Sequence, residues 1–384
     1  MNALKILYHH RIASKDGQYV HIEEIINSLT KQGHDIVMVA PEVAEGSDFG
    51  SSGGWVDDLK AKLPGFVYEL LEFAYAFYDF FKLAAAIIKH KPDVIYERYN
   101  LFLPSGIWAS KLFKVPLILE VNAPLYQERK KFNGISLDAL AKWTQQYCWN
   151  QADITLPVTN VLADSLREVN VPEHRIDVIA NGINLDSFGE VTAAPNLPIN
   201  LAGKLVIGFV GFCREWHGLD RVLDTMAAMN NPNLVFIVIG DGPAIEPLKQ
   251  QAQALGLSDQ MHATGLVSRA DMPKYLNTIE IALQPDVVAY ASPLKMIEYL
   301  AMGKVILAPN SPNIKELLTH EDNALLFDIE TPASFGEGLA KLCEDATLRE
   351  QLAIRAAETI TEKKLTWDSN AERIVAHAKR LYEQ

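Results

Sequence analysis

Short runs rich in valine, isoleucine and leucine alternate with stretches of helical spacing along the whole chain. Strands of that kind, buried on both faces, fit a parallel sheet with crossover helices. The runs at 4–8, 35–40, 93–97, 116–121 and 153–157 make one set of strands, and those at 205–210, 234–239, 261–264, 279–283, 304–308 and 324–327 a second. Between the sets, 186–203 is irregular and contains Gly189, Pro195, Pro198 and Gly203, which places a linker there. The expected fold class is α/β: two facing Rossmann-like domains, each a doubly wound parallel sheet. The N-terminal domain spans 1–185 and the C-terminal domain 204–366, with the helical pattern at 367–384 packing back on the first. A single (β/α)8 barrel also alternates, but two open sheets better suit a chain divided by an irregular stretch. Open parallel sheets bind ligands at the carboxyl ends of their strands, so a cleft between two of them is where a site is expected.

The 384 residues exceed what one core usually serves, and 49% hydrophobic side chains are enough to fill two. With 48 acidic against 35 basic side chains the net charge is −13; such a surface repels a polyanion, so nucleic acid is not an expected partner. Cys148, Cys213 and Cys343 are far apart and form no C-x-x-C pair, so neither a disulfide framework nor a zinc site is expected, and a reducing cytoplasm fits. The N-terminus lacks the apolar core of a signal peptide, and no apolar run reaches the roughly 20 residues that span a bilayer. The longest apolar region, 66–88, is interrupted by Glu69, Glu72, Asp79 and Lys82 and reads as a helix with Leu70, Ala74, Phe77, Phe81, Ala84 and Ile88 on one face. That face is expected in the core. A membrane surface or a lipid acceptor is the alternative, disfavoured because the polar side is poor in Lys and Arg.

Several familiar signatures are absent. There is no G-x-x-x-x-G-K-[ST] and no G-x-G-x-x-G after a strand, which excludes a P-loop site and the common NAD fingerprint. No Asp-x-Asp occurs, which argues against a carboxylate-bound metal holding a sugar nucleotide. His9 and His10 are adjacent at a strand end and point to opposite faces, so they do not share an ion. Gly50-Ser51-Ser52-Gly53-Gly54 matches the nucleophile elbow G-x-S-x-G, but the strand that should feed it ends near Ala40; a mobile surface loop over the cleft is expected instead.

Three segments of the second half carry chemistry. A buried strand ending at Val210 passes through Gly211, a turn that glycine permits, into a polar loop with Arg214 and His217 at the strand's carboxyl end. Arg214 is placed to meet an anion; a solvated loop arginine is the plain alternative. Next, Gly240-Asp241-Gly242-Pro243 ends a strand in a tight turn, with Pro243 suited to the first position of a helix. In the third segment Ser292 is a good N-cap, Pro293 a good first helical residue and Gly303 the preferred stop, so one short helix is bracketed. Its N-terminus favours a phosphate through unpaired N–H groups, and Lys295 adds a full charge. Glu298 sits among Ile297, Tyr299 and Leu300 and needs a partner, either Lys295 in a local ion pair or the hydroxyls of a sugar.

With these segments, Gly33-His34-Asp35-Ile36-Val37 and the run Val178-Ile179-Ala180-Asn181-Gly182-Ile183-Asn184, the chain resembles the retaining glycosyltransferases of family 4 over nearly its whole length. Tyr96-Glu97-Arg98-Tyr99 and Leu119-Glu120-Val121-Asn122-Ala123-Pro124 look like a branch associated with bacterial surface polysaccharides. The resemblance implies the GT-B architecture. It also implies transfer of a hexose, with retention, from a nucleotide diphosphate sugar to a hydroxyl acceptor that is a saccharide, a lipid-linked sugar or a small molecule. Neither metal nor other cofactor is expected, and the location is the cytoplasm, with a peripheral contact at the inner face of the membrane compatible with it.

Carried across residue by residue, Glu298 matches the second carboxylate of the family's E-x7-E motif, which holds the ribose, whereas Tyr290 stands where the first belongs. Arg214 matches the arginine that the family places on the diphosphate; His217 takes the place of its lysine, and Lys295 with the helix amides at Leu294 is expected to supply the missing positive charge. Arg214 and Lys295 are therefore the expected catalytic groups. Glu298, Ser292, Pro293, Leu294, Gly211, His217, Val267 and Tyr290 form the donor-binding set, Val267 because the family lays the base on the backbone after Gly265. On the acceptor side the family's Gly-Gly is reduced to Asp16-Gly17, and Asn122 stands where a histidine is common; Gly17, Asn122 and Arg98 are the expected residues there. In the family the acceptor hydroxyl attacks from the departing side and passes its proton to a phosphate oxygen, so no protein base is expected. A non-catalytic binding or scaffold subunit is the rival, motivated by Tyr290, His217 and Asn122. A GT-B epimerase or phosphorylase is a smaller alternative, and the lack of a lysine-anchored pyridoxal motif counts against the phosphorylase.

Overall fold

The computed structural model describes residues 3–13, 17–41, 63–132, 134–188 and 195–383. The loop 50–54 and Asp16 lie outside them. The chain divides into two compact units, Met1–Ala180 with Trp367–Gln384, and Asn181–Thr366. The division falls at Ala180, ahead of the irregular stretch 186–203, because the backbone N–H of Ile183 donates to the Leu365 carbonyl at 3.0 Å and that of Asn181 to Ser292 Oγ at 3.1 Å.

The first unit holds β1 (Lys5–His9), β2 (Asp35–Val39), β3 (Val94–Arg98), β4 (Leu117–Val121) and β5 (Ile154–Pro157) in the order β2-β1-β3-β4-β5, every pair parallel. Ile6, Leu7, Ile95, Leu117, Ile118 and Leu119 are fully buried, as expected of strands covered on both faces. The crossovers carry α1 (Gly17–Lys31), α2 (Gly65–His90), α3 (Ser105–Phe113), α4 (Leu125–Phe132), α5 (Asp138–Gln151) and α6 (Asn160–Glu168). The last helix, Trp367–Tyr382, closes the unit against α1: the buried Trp367 ring meets His21 edge-on at 4.9 Å, and Asp368 pairs with Lys31 at 2.8 Å.

α2 overturns one expectation. Leu70, Phe77, Phe81 and Ile88, the face expected in the core, are exposed, whereas Glu69, Ala76, Asp79, Leu83 and Ile87 are buried. Two carboxylates turn inward because partners await them. Glu69 accepts from the Ser136 and Leu137 amides at 2.9 and 2.6 Å, and Asp79 accepts from Ser105 Oγ at 2.6 Å and lies 3.0 Å from His9 Nε2. Among the described residues no helix is long and apolar enough to cross a membrane.

The second unit holds β6 (Leu205–Val210), β7 (Leu234–Ile239), β8 (Met261–Ala263), β9 (Ile281–Leu283), β10 (Val305–Pro309) and β11 (Leu325–Phe327), again all parallel, in the order β11-β10-β9-β6-β7-β8. Its helices are α7 (Asp220–Met229), α8 (Ile245–Ala254), α9 (Met272–Asn277), α10 (Leu294–Ala301), α11 (Ser334–Glu344) and α12 (Ala346–Glu362). Phe209, Phe236, Leu283, Leu307, Phe327 and Phe335 fill the core. The order steps from β6 outward to both sides, so the carboxyl ends of β6 and β9 sit at the switch point where an open sheet receives a ligand.

Candidate functional site

At that edge the backbone leaving β6 stays paired with the backbone leaving β7. The Gly211 N–H donates to Ile239 O at 3.0 Å, Cys213 N–H to Asp241 O at 2.7 Å, and Ala244 N–H to Cys213 O at 3.2 Å. The chains approach so closely that a Cβ at Gly240 would lie 2.1 Å from Gly211 O, and one at Gly242 2.3 Å from Cys213 O; both glycines also have left-handed φ, 142° and 144°. The turn at 240–243 therefore does more than end a strand: it holds the Arg214 loop in place. Pro243 lies in the turn two residues before α8, not at its first position.

Lys295 projects into the space that Gly211 leaves. Its Nζ is 3.7 Å from the Phe209 ring centre and would be 3.2 Å from a Cβ at position 211. Lys295 forms no ion pair with any carboxylate among the described residues, although Glu298 lies one turn along the same helix. Burial pushes the amine down to about 7, offset only in part by Cys213 and Glu298, and the Cys213 thiol is itself pushed up to about 12 by burial. His217 is buried beside it, edge-on to Phe209 at 4.9 Å, with Nδ1 accepting from the Arg214 N–H at 3.1 Å. Burial, then the Lys295 charge, push this imidazole down to about 3. It is neutral and carries its proton on Nε2. Arg214 is exposed, its guanidinium 5.2 Å from the Phe212 ring, and it makes no ion pair among the described residues.

The helix that brings Lys295 starts one residue later than its sequence indicates. Pro293 occupies the N-cap position with extended backbone (φ −71°, ψ 121°), and α10 begins at Leu294, whose N–H lacks an intrahelical acceptor. Ser292 does not cap it. Its Oγ accepts from the Asn181 N–H and its carbonyl from Asn181 Nδ2 at 2.5 Å, tying the start of the unit to the start of the helix. Tyr290 is partly buried in the preceding turn. Glu298 is 5% exposed, and its partner is not Lys295: Oε1 accepts from Arg269 Nη1 at 2.7 Å. Arg269 was missed by the sequence reading. It lies two residues beyond Val267, in the segment that leaves β8 through Gly265, and Val267 is partly buried there. Gly211, His217 and Lys295 thus come together, Glu298 joins the Val267 segment through Arg269, and Arg214 stays at the surface.

In the first unit the structure joins two of the three acceptor-side residues through a third group. Arg98 Nη1 donates to Glu120 Oε1 at 2.5 Å, and Asn122 Nδ2 donates to the same oxygen. Tyr96 OH donates to Oε2 at 2.6 Å, and His21 Nε2 is 2.8 Å from that oxygen. Burial works against the charge, but His21 and Arg98 outweigh it and hold the Glu120 carboxyl well below the usual range. Gly17 opens α1 and is exposed, outside this group. Nearby, His9 lies 2.7 Å from Glu97 and 3.0 Å from Asp79; burial opposes its charge, yet the two carboxylates raise it to about 10, so it is an imidazolium. His10 goes the other way, pushed down to about 4 by burial and then by His9.

The family model described as Glycosyltransferase Family 4 matches residues 15–187, and that described as Glycosyl transferases group 1 matches 198–359. An alpha-D-kanosaminyltransferase of Streptomyces kanamyceticus is 22% identical over 65% of this chain and 66% of its own length. A UDP-Gal:alpha-D-GlcNAc-diphosphoundecaprenol alpha-1,3-galactosyltransferase of Escherichia coli is 23% identical over 68% of each. Among solved structures, Anabaena HepE in complex with UDP superposes with a TM-score of 0.73 at 15% identity, covering 98% of this chain and all of that one. Sucrose-phosphate synthase of Thermosynechococcus elongatus gives 0.75 at 14%, covering 99% of each. With one model on each half, glycosyltransferases as relatives and a GT-B fold shared from end to end, the chain belongs to glycosyltransferase family 4.

Proposed function

We propose that this glycosyltransferase moves a hexose from a nucleotide diphosphate sugar to a hydroxyl with retention at the anomeric carbon, without a metal. The observation that carries the reading is Lys295: an amine held against Phe209 beside a helix N-terminus, with no ion-paired carboxylate among the described residues, has the character of an anion site. That HepE structures hold UDP and UDP-glucose supports a uridine diphosphate sugar as the first donor to test. In this reading departure of the sugar leaves negative charge on the β-phosphate, and Lys295, the Leu294 amide and Arg214 stabilise it. The acceptor hydroxyl attacks from the departing side and gives its proton to a phosphate oxygen. Neutral His217 donates from Nε2, and Glu298 takes the ribose.

The acceptor belongs to glycan, exopolysaccharide or glycolipid synthesis in this reading, at the cytoplasmic face of the membrane. The undecaprenol-linked acceptor of the Escherichia coli relative and the exposed aromatic side chains of α2 favour a lipid-linked one. Tyr290 in place of a carboxylate favours the second reading, a scaffold that binds but does not turn over. Incubation with UDP-glucose, UDP-galactose or GDP-mannose and a panel of lipid-linked and free sugar acceptors separates the two. Released nucleoside diphosphate with an anomeric signal of retained configuration supports the enzyme. Binding without release supports the scaffold, and absence of binding to any nucleoside diphosphate overturns both.

A further inference from the structure

Glu298 owes its geometry to a residue outside its own helix. Arg269 Nη1 reaches Oε1 at 2.7 Å from the segment between β8 and α9, while the guanidinium lies 5.5 Å from the ring of buried Phe188, in the short 3-10 turn Leu185–Phe188. A glutamate has three side-chain torsions, and in a buried setting its carboxylate can settle in several rotamers. A charge-assisted bond from a planar guanidinium that is itself braced by an aromatic ring selects one. The bond commits one direction of Oε1 and leaves Oε2 to accept from a ligand. Arg269 also follows Val267 closely in the chain, so the group that orients the carboxylate is built into the segment on which the base would lie.

We infer that Arg269 is a positioning residue for the nucleoside half of the donor: it aims the Glu298 carboxylate at the ribose hydroxyls and couples that contact to residues 265–267. The inference rests on the donor reading, in which Glu298 takes the ribose. A purely structural ion pair holding α10 to the β8 loop would affect every ligand alike, whereas a positioning role shows only when the ligand has hydroxyls to be read.

The test therefore varies the sugar. The full chain is titrated with UDP, GDP and ADP, and the tightest of the three is compared with its 2′,3′-dideoxy analogue on the wild type, Glu298→Gln, Arg269→Met and Arg269→Lys, with melting temperatures measured alongside. The wild type is expected to prefer the ribonucleotide by about 10- to 100-fold, the worth of one or two hydrogen bonds to a charged acceptor. Arg269→Met is expected to lower ribonucleotide affinity about tenfold while changing that of the analogue less than about threefold, and Arg269→Lys to recover part of the preference. Equal weakening of both ligands by Arg269→Met, or an unchanged preference, overturns the inference. Should that variant fail to fold, Arg269→Lys decides alone: its ammonium lacks the planar fork, and a full wild-type preference overturns the positioning role. A wild type that does not discriminate, or a Glu298→Gln variant that still does, overturns the ribose assignment itself. Failure to bind any of the three nucleotides removes the donor reading and this inference together.

Discussion

The two parallel sheets end in opposite ways. At the carboxyl ends of β1, β3 and β4 the charges of the first unit close on one another: Glu120 gathers Arg98, Asn122, Tyr96 and His21, and His9 lies between Glu97 and Asp79. Even the neighbouring helix gives way, for a Cβ at Gly106 would sit 1.6 Å from Glu97 Oε2. At the carboxyl ends of β6 and β9 in the second unit, Lys295 and Arg214 make no ion pair with a carboxylate among the described residues, and glycine at 211 leaves room beside the amine. One architecture thus supports an edge whose ionic partners are built in and another that, among the described residues, lacks its counter-charge. The first is a device for rigidity, because breaking a satisfied buried pair is costly. The second suits a ligand, because an anion supplies an interaction that the free protein cannot make.

Breaking the closed edge should have the largest effect. His9→Ala removes the imidazolium between Glu97 and Asp79, and the expected loss of stability is ~3–5 kcal/mol in urea unfolding. A loss below ~1 kcal/mol would mean the triad contributes little. Lys295→Ala, on the open edge, should lower turnover by about 10²- to 10³-fold. The melting temperature should hold or rise, since a cation lacking a counter-charge is removed; wild-type turnover takes Lys295 out of the phosphate site.

The pH dependence of donor binding sharpens the contrast further. Burial holds the free amine at about 7, and a bound diphosphate draws it back up. Above pH 7 the protein must therefore take up a proton to bind, and affinity for UDP-glucose should fall with rising pH, approaching a tenfold loss per unit. Below about pH 6 the amine is already charged and the curve should flatten. Affinity that stays constant to pH 9 contradicts the linkage. Smallest is Arg214→Ala: the side chain is exposed and leans on Phe212, so a fall in kcat/KM of about three- to tenfold is expected from steady-state kinetics.

What was legible in the sequence was local. Each apolar run became a strand, its bounds moved by a residue or two at most, because burial on both faces writes itself into consecutive positions such as Leu234–Ile239. Periodicity failed on α2, where Leu70, Phe77 and Phe81 outweigh Glu69 and Asp79 in apolar count; the partners that make those carboxylates the inner face, His9, Ser105 and Ser136, lie in other segments. Glu298 shows the same limit. A buried carboxylate needs a cation, and the sequence offered Lys295 three residues away, whereas the fold delivers Arg269 from 29 residues away. Its only signal was an arginine shortly after a strand-ending glycine. Ser292 was read as a cap because caps are local, and its real bonds to Asn181 span 111 positions.

The helix Trp367–Tyr382 closes the first unit, yet the chain reaches it only after laying down all of β6 to β11. During translation α1 must wait with the face meant for Trp367 uncovered, while the later sheet has every piece it requires as soon as Thr366 leaves the exit tunnel. The half begun first is the half finished last, and a chain cut after Thr366 would present one lobe with all its pieces and one waiting for its lid.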